Sequence, residues 1–404
     1  MQTTGTPSPS AHRGPPHIAT LILLSGASAL GMNVFLPSLP NMAEYFRADY
    51  QLIQLSVSLY LAMNAVLQIL MGPIADKFGR RPVILWGITL FLIATLGCIM
   101  APNVYVFLAF RMCQAAISVG IVLSRAAVRD MYDQDQAASM IGYVTMGMAV
   151  VPLLAPPLGG VLDSFFGWKA SFWLLFAVGA FSLILTYVDF GETALKSGKT
   201  LGEQFREYPE LLRSPRFWGY SLASGLASGS FFAYLGGAPY VGSEVYGMAP
   251  GTLGLFLGSP AAGYFVGNWL SGVFSTRFGI NRMVLWGCWI NFSGVAMSTA
   301  LIVAGLGNEF TFFGFMIFVG LGNGMAIPNA TAGALSVRPH LAATASGLSG
   351  AIMLIGGAAL SGLSSLLLKP GTDAMPLLLL MLVTAALGLV SIFVVIRRER
   401  KLGL

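Results

Sequence analysis

Charge is scarce in this chain. Only 9% of its 404 residues are Asp, Glu, Lys or Arg, and 56% are hydrophobic. A soluble domain carries about 25% charged residues, so a water-covered globule cannot be built from this composition, and a mean hydropathy of +0.76 points the same way. Histidine and cysteine are equally sparse, three of each. Cys98, Cys113 and Cys288 stand in apolar stretches without ligand spacing, which argues against a disulfide framework and against a metal cluster. No catalytic triad, metal-ligand pattern or phosphate loop occurs, so the residues suggest neither an enzyme nor a cofactor. Carboxylates are missing from the middle of every apolar stretch; Asp130, Asp163 and Asp189 stand at ends.

In place of charge there are twelve apolar runs, at approximately 18–38, 51–72, 82–101, 105–128, 138–161, 169–189, 215–238, 252–275, 283–304, 310–333, 343–368 and 375–396. Each has roughly 20 or more residues, enough to cross a hydrocarbon core of ~30 Å. The first is too long, and lacks the small-residue cleavage site, to be a signal peptide. The chain therefore reads as an all-α membrane protein of twelve transmembrane helices in two six-helix halves. The expected organisation is a Ser/Thr/Pro-rich disordered tail over 1–16, a first half over 17–190, a polar linker over 191–214, a second half over 215–397 and a tail over 398–404. The net charge of +6 does not imply a nucleic-acid partner, because the cations sit in short loops. With the N-terminus inside, seventeen of the 22 Lys and Arg fall on the inner side and only Arg47, Lys169 and Lys369 on the outer. That asymmetry predicts cytoplasmic termini. The halves also share a trace of repetition: Gly72, Phe78, Gly79, Leu85, Trp86 and Gly87 recur 200 residues later as Gly272, Phe278, Gly279, Leu285, Trp286 and Gly287.

The most specific stretch runs from Gly72 to Val83, a charged, glycine-punctuated turn between two apolar runs. Its Gly72, Asp76, Gly79, Arg80 and Arg81 match the loop between the second and third helices of the major facilitator superfamily, and an ordinary positive-inside loop would not need the Asp or the glycines. Further matches follow. Val151–Gly160 resembles the family's antiporter motif at Pro156, Gly159 and Gly160, with Val151 and Ala155 where the motif has glycine; Pro152 adds a further kink. Arg111 opens an R-x-x-Q-[AG] pattern on the fourth run, and Asp130 at its inner end resembles the carboxylate that pairs with the loop arginine, here Arg80. Arg125 lies between them. Asn33–Pro40, and Pro328–Thr331 with Thr344–Gly347, are similar to the Bcr/CflA (bicyclomycin/chloramphenicol resistance) branch of drug:proton antiporters.

The resemblance implies an alternating-access exporter of small amphiphilic compounds, of the multidrug-efflux and antibiotic-resistance type, in a bacterial inner membrane. It is expected to act as a monomer, without cofactor or metal. Its substrate and proton pathway would include Met32, Asn33, Arg111, Phe231, Phe232, Tyr234, Asn323 and Asn329, with Tyr60 and Gln68 adding to the wall. Gly72, Asp76, Gly79, Arg80, Arg81, Arg125 and Asp130 would form the gate between the halves on the inner side. Where the family pattern usually has an acid this chain has Asn33, which predicts weak proton coupling, since antiport needs a buried titratable group. The alternative reading is a metabolite exporter or facilitator without proton coupling; a membrane enzyme or receptor ranks below both. Residue counting sets Asn33 and Arg111 in one layer, and the family fold, which brings the first and fourth helices together, implies that the two face each other across the cavity.

Overall fold

The computed structural model of the chain describes residues 14–131, 134–193, 208–338 and 342–403. Most of the expected tail (1–13) and most of the linker (194–207) lie outside the described residues. The rest is helical and forms twelve spans. In chain order they are Ile18–Asn33 continuing into Leu39–Phe46; Tyr50–Phe78; Arg80–Ile99; Val104–Gln114 with Val119–Met131; Gln134–Phe166; Lys169–Asp189; Pro215–Tyr240; Pro250–Leu257 with Ser259–Phe278; Ile280–Val303; Glu309–Phe313 with Met316–Ser336; Ala342–Leu367; and Met375–Leu402. Successive spans alternate in direction. One face therefore bears both ends of the chain, and the opposite face bears Phe46, Tyr50, Phe166, Tyr240 and Pro250.

Local chemistry sets the punctuation. Gly79 and Gly279 end the second and eighth spans with φ of 96° and 81°, in the left-handed region that a side chain disfavours. The 200-residue repeat thus preserves one backbone turn in both halves. Asn103 and Asn308 cap the fourth and tenth spans by accepting from the amides of Val106 and Thr311. Several helices outrun their apolar runs: the second reaches Phe78 and the twelfth reaches Leu402, five residues past 397. The first apolar run is broken after Phe35 by a short 3-10 turn, Leu36–Ser38, with Pro37 in its middle. The fourth span is broken at Ala115–Ser118 without glycine or proline.

Large apolar side chains face outward along the spans, among them Trp86, Phe165, Trp173, Phe181 and Trp269. A surface of that kind belongs against lipid. Inside each half small residues let helices touch. A Cβ on Gly159 would run into the Val34 carbonyl, one on Gly263 into that of Ile317, and one on Gly320 into that of Pro260. In a bilayer such close packing replaces the hydrophobic effect as the force between helices. Each half also gathers aromatic rings toward the face away from the termini: Phe35, Tyr45, Phe46, Phe107, Trp168 and Phe172 in the first, Tyr234, Phe256, Phe312 and Phe313 in the second.

The halves meet along two seams. The second and eleventh spans run antiparallel. Gln51 Nε2 donates to the Leu368 carbonyl at 3.1 Å, a Cβ on Gly362 would sit 3.7 Å from Ser58, and one on Gly350 2.9 Å from Gln68 Oε1. Gln54, between the first two contacts, is fully buried with neither amide atom hydrogen-bonded, and the hydroxyls of Ser361 and Ser365 are likewise buried and unpaired. The fifth and eighth spans form the other seam, where Gly160 abuts the Pro250 carbonyl and Gly254 the Pro156 carbonyl. The rings of Tyr50 and Tyr240 meet across the halves, with centroids 5.4 Å apart and planes tilted by 57°. On the side away from the termini the halves are shut against each other.

Candidate functional site

The centre of the first half is a buried arginine. Arg111 is 1% exposed. Its NH2 donates to the Gly31 carbonyl and its NH1 to Gln114 Oε1, both at 2.7 Å. The guanidinium lies 4.1 Å from the ring of Phe35 and 4.1 Å from that of Tyr60. Gln114 is fixed in turn by donating to Thr95 Oγ1 at 2.7 Å. No carboxylate takes part. A guanidinium in a membrane costs at least ~2.5 kcal/mol on insertion scales; here a carbonyl, an amide oxygen and two π faces offset it. The side chain does not reach for the membrane surface, an outcome its place near a helix end would have allowed. Nε and the Tyr60 hydroxyl are buried without hydrogen-bond partners.

No hydrogen bond joins Asn33 to Arg111 among the described residues. The two do share a layer, since Arg111 bonds Gly31. But Asn33 Nδ2 donates to the Ala29 carbonyl of its own helix at 2.8 Å. Reading depth from residue counts captures the layer; the direction of an amide free to bond the preceding turn is not set by depth. Met32 and Phe231 are half-buried, and Gln68 lies beside Gly350.

The second-half candidates turn inward to neighbouring helices. Asn323 accepts from Asn291 at 3.2 Å, and Asn329 donates to Ser271 Oγ and to the Met325 carbonyl, each at 2.8 Å. Tyr234 is fully buried, with its hydroxyl donating to the Phe256 carbonyl at 3.3 Å, and Phe232 packs where Gly357 leaves room.

Part of the charged turn can be described. Arg80 Nε and Asp130 Oδ2 are 3.2 Å apart, and Thr193 Oγ1 donates to the same oxygen at 3.3 Å. Glu192 accepts from the backbone amides of Arg80 at 2.8 Å and Arg81 at 3.3 Å, a carboxylate on a helix N-terminus. Arg81 NH2 donates to the Tyr187 carbonyl at 3.0 Å. Arg125 approaches Met148 Sδ at 4.0 Å. Of Gly72 and Asp76 only the backbone is described; it continues the second span. Pro152, Pro156 and Pro157 all stand inside the fifth helix, and Ala155 is buried, as are Gly159 and Gly160.

Sequence reasoning missed the corresponding cluster in the second half. Glu399, at the end of the chain, accepts from Arg216 NH2 at 2.6 Å, from Tyr220 Oη at 2.9 Å and from Asn281 Nδ2 at 2.5 Å. Asn281 is the repeat partner of Arg81, so the repeat itself was the available signal. Both clusters tie together helices of one half. Among the described residues, no ion pair joins the halves on the terminus-bearing face.

Comparison with known proteins agrees with this architecture. Residues 21–361 match the model of the Major Facilitator Superfamily. Among curated proteins the chain is 29% identical to Multidrug resistance protein D of Escherichia coli, over 89% of this chain and 91% of that one. It is also 29% identical to the Bicyclomycin resistance protein homolog of Haemophilus influenzae, over 86% and 88%. Among solved structures, a bacterial homologue of the lysosomal transporter Spinster, described as inward-facing and unoccupied, superposes with a TM-score of 0.74 at 17% identity, covering 95% of this chain and 97% of that one.

Proposed function

The chain belongs to the Major Facilitator Superfamily, and from that premise we propose that it is a multi-pass transporter that exports small amphiphilic compounds by alternating access. The terminus-bearing face is assigned to the cytoplasm by the cation count. The observation that carries the reading is the asymmetry between the two faces. On the side away from the termini the halves lock by glycine against carbonyl at Gly160–Pro250 and Gly254–Pro156. On the cytoplasmic side the Arg80–Asp130 and Arg216–Glu399 pairs each close within a half. Two internally braced bodies, shut at one end, make one of the two states that such a cycle needs.

Efflux of drug-like compounds is supported by relatives named for multidrug and bicyclomycin resistance. The central site carries no proton in this reading: Asn33 does not titrate, and Arg111 is satisfied by neutral groups. The test is flux. Purified protein in proteoliposomes should move chloramphenicol or bicyclomycin down an imposed gradient at least five times faster than empty liposomes, and expression in a pump-deficient host should raise the inhibitory concentration of one or both. Flux at the empty-liposome level for every compound in such a panel would reject the reading.

A further inference from the structure

The interior of the spans is one-sided in charge. Apart from Lys169, Asp189 and Arg216 at their ends, the twelve apolar runs hold two arginines, Arg111 and Arg125, and no carboxylate. Arg111 is covered by two rings and is 1% exposed. Arg125 is half-buried. It stands three residues from the inner end of the fourth run, a place from which a long side chain can reach the cytoplasmic surface. It does the opposite. Helical side chains lean toward the N-terminal end of their helix, which in the fourth span is the outer end. One terminal nitrogen of Arg125 lies 4.0 Å from Met148 Sδ, and Met148 is ten residues inside the fifth run. The guanidinium is thus carried toward the middle of the membrane.

The second half presents a polar strip at that depth. Where the fifth and eighth spans abut, Gly160 meets Pro250 and Gly254 meets Pro156. The two spans run antiparallel, and the eighth stays against the fifth within Ser259–Phe278. The same register carried inward sets Met148 close to the level of Ala262 and Tyr264. Arg125 is near enough for its charge to act on the Tyr264 hydroxyl. Gly263 and Gly267 turn toward the tenth span, against the carbonyls of Ile317 and Leu321. Between that face and the one bearing Gly254 run Tyr264, Asn268, Ser271 and Ser275, spaced by four, three and four residues and so aligned along one side of the helix. Tyr264 and Asn268 are half-buried. Asn268 Nδ2 donates one N–H to the Tyr264 carbonyl at 2.8 Å, and its amide has a second. The guanidinium, the phenol and that second N–H are all donors.

We propose that Arg125, Tyr264 and Asn268 form an anion subsite between the halves, and that the exported compounds include amphiphiles carrying one acidic group: a carboxylate, a sulfonate or an ionised phenol. The proposal rests on the export reading and narrows its substrate class. With no carboxylate inside the runs to answer it, the potential of two arginines in a medium of low dielectric favours a negative group and disfavours a lipophilic cation. The donors suit the same ligand, since Arg125, Tyr264 and Asn268 offer N–H and O–H groups to an oxyanion. The apolar remainder of the ligand lies beside Met148, whose flexible thioether adapts to varied shapes. Arg125 belongs to the first half, Tyr264 and Asn268 to the second, so a ligand held by all three bridges the two bodies.

The experiment uses two fluorescent ligands with the same aromatic body, dansylglycine with its carboxylate and dansylglycinamide without it. Their binding to the full chain in nanodiscs is measured at neutral pH, with empty nanodiscs as the blank. Wild type should bind the acid at least about tenfold more tightly than the amide, since a hydrogen bond to a charged group corresponds to about ten- to a hundredfold in affinity. Arg125→Gln should bring the two ligands within about twofold of each other. Arg125→Lys keeps the charge and should recover part of the preference, and Tyr264→Phe should weaken the acid several-fold more than the amide; a merely structural role would weaken both alike. Should Arg125→Gln fail to fold, Tyr264→Phe decides together with the salt dependence of wild type, whose preference should shrink as salt rises. Equal binding of the pair by wild type, or a preference that survives in Arg125→Gln, overturns the proposal. Chloramphenicol or bicyclomycin flux in proteoliposomes with no preference for the acid sinks this inference alone. Absence of flux for those compounds and for dansylglycine rejects the export reading, whatever the binding.

Discussion

Arg111 and Gly31 are joined by a 2.7 Å hydrogen bond from the guanidinium to a backbone carbonyl, across the two helices that line the middle of the first half. Gly31 is what permits it: an added Cβ would lie 3.3 Å from the Tyr60 hydroxyl, crowding the ring that covers the cation. The arginine is thus held by shape and dipoles, and its planar group cannot be exchanged for a point charge. Arg111→Lys should lose most of the bidentate and stacking contacts. We expect flux under about a tenth of wild type, with Gln114 Oε1 and the Gly31 carbonyl left short of a donor at about 1–3 kcal/mol each. Reduced thermal stability in detergent together with reduced flux would bear this out; unchanged flux would show that only charge matters.

Asn33→Asp should add a titratable group in the Arg111 layer. Desolvation would favour its neutral form and Arg111 its charged form, the balance that lets substrate and proton compete. Flux driven by an inward proton gradient should rise at least threefold, measured in everted vesicles with and without an uncoupler. Strong gradient-driven flux in the unmodified chain, unaffected by Asn33→Asp, would assign the coupling elsewhere.

Arg80 and Asp130 should behave as a coupled pair. Their side chains are 12% and 19% exposed, so the interaction is screened only in part and should be worth about 1 kcal/mol in a double-mutant cycle. Asp130→Asn should cut flux several-fold with little effect on expression. Additive losses in the double variant would leave the pair without a joint role.

Gly159 and Gly160 are adjacent and should fail differently. Gly159→Ala would push into the Val34 carbonyl within the first half and should lower folding yield. Gly160→Ala would push into the Pro250 carbonyl of the other half, so the protein should fold, resist outer closure and lose flux. The pair is resolved by expression level against labelling of a cysteine at position 253, buried in wild type, with an impermeant maleimide. Equal behaviour of the two variants would refute the assignment of the seam.

Orientation is checked by single cysteines at positions 45 and 200 on intact cells, in a cysteine-free background. Position 45 should label and 200 should not; the reverse result inverts the molecule.

Much of this was legible beforehand because it depends on local sequence. Span length, the division into halves and the shared turn at Gly79 and Gly279 follow from apolar runs and from backbone freedom. The Arg80–Asp130 pair was legible through a fixed motif. What was not legible depends on partners far along the chain. Glu399 meets Arg216 across 183 residues, and Asp163 meets Asn41 across 122. Nothing near either residue marks it as buried. The partners of Asn323 and Asn329 were likewise not legible: each amide bonds a neighbouring helix, Asn291 and Ser271 respectively, since a buried amide must find partners wherever they are nearest. The break at Ala115–Ser118 has no breaker residue and could only be seen in three dimensions.

The unpaired amide of Gln54 has an energetic consequence. Burying it without a partner costs about 1–3 kcal/mol, a cost that water entering between the second and eleventh spans would relieve. Along the second and eleventh spans the shut conformation thus carries, at Gln54, a built-in penalty that separation of the two helices removes.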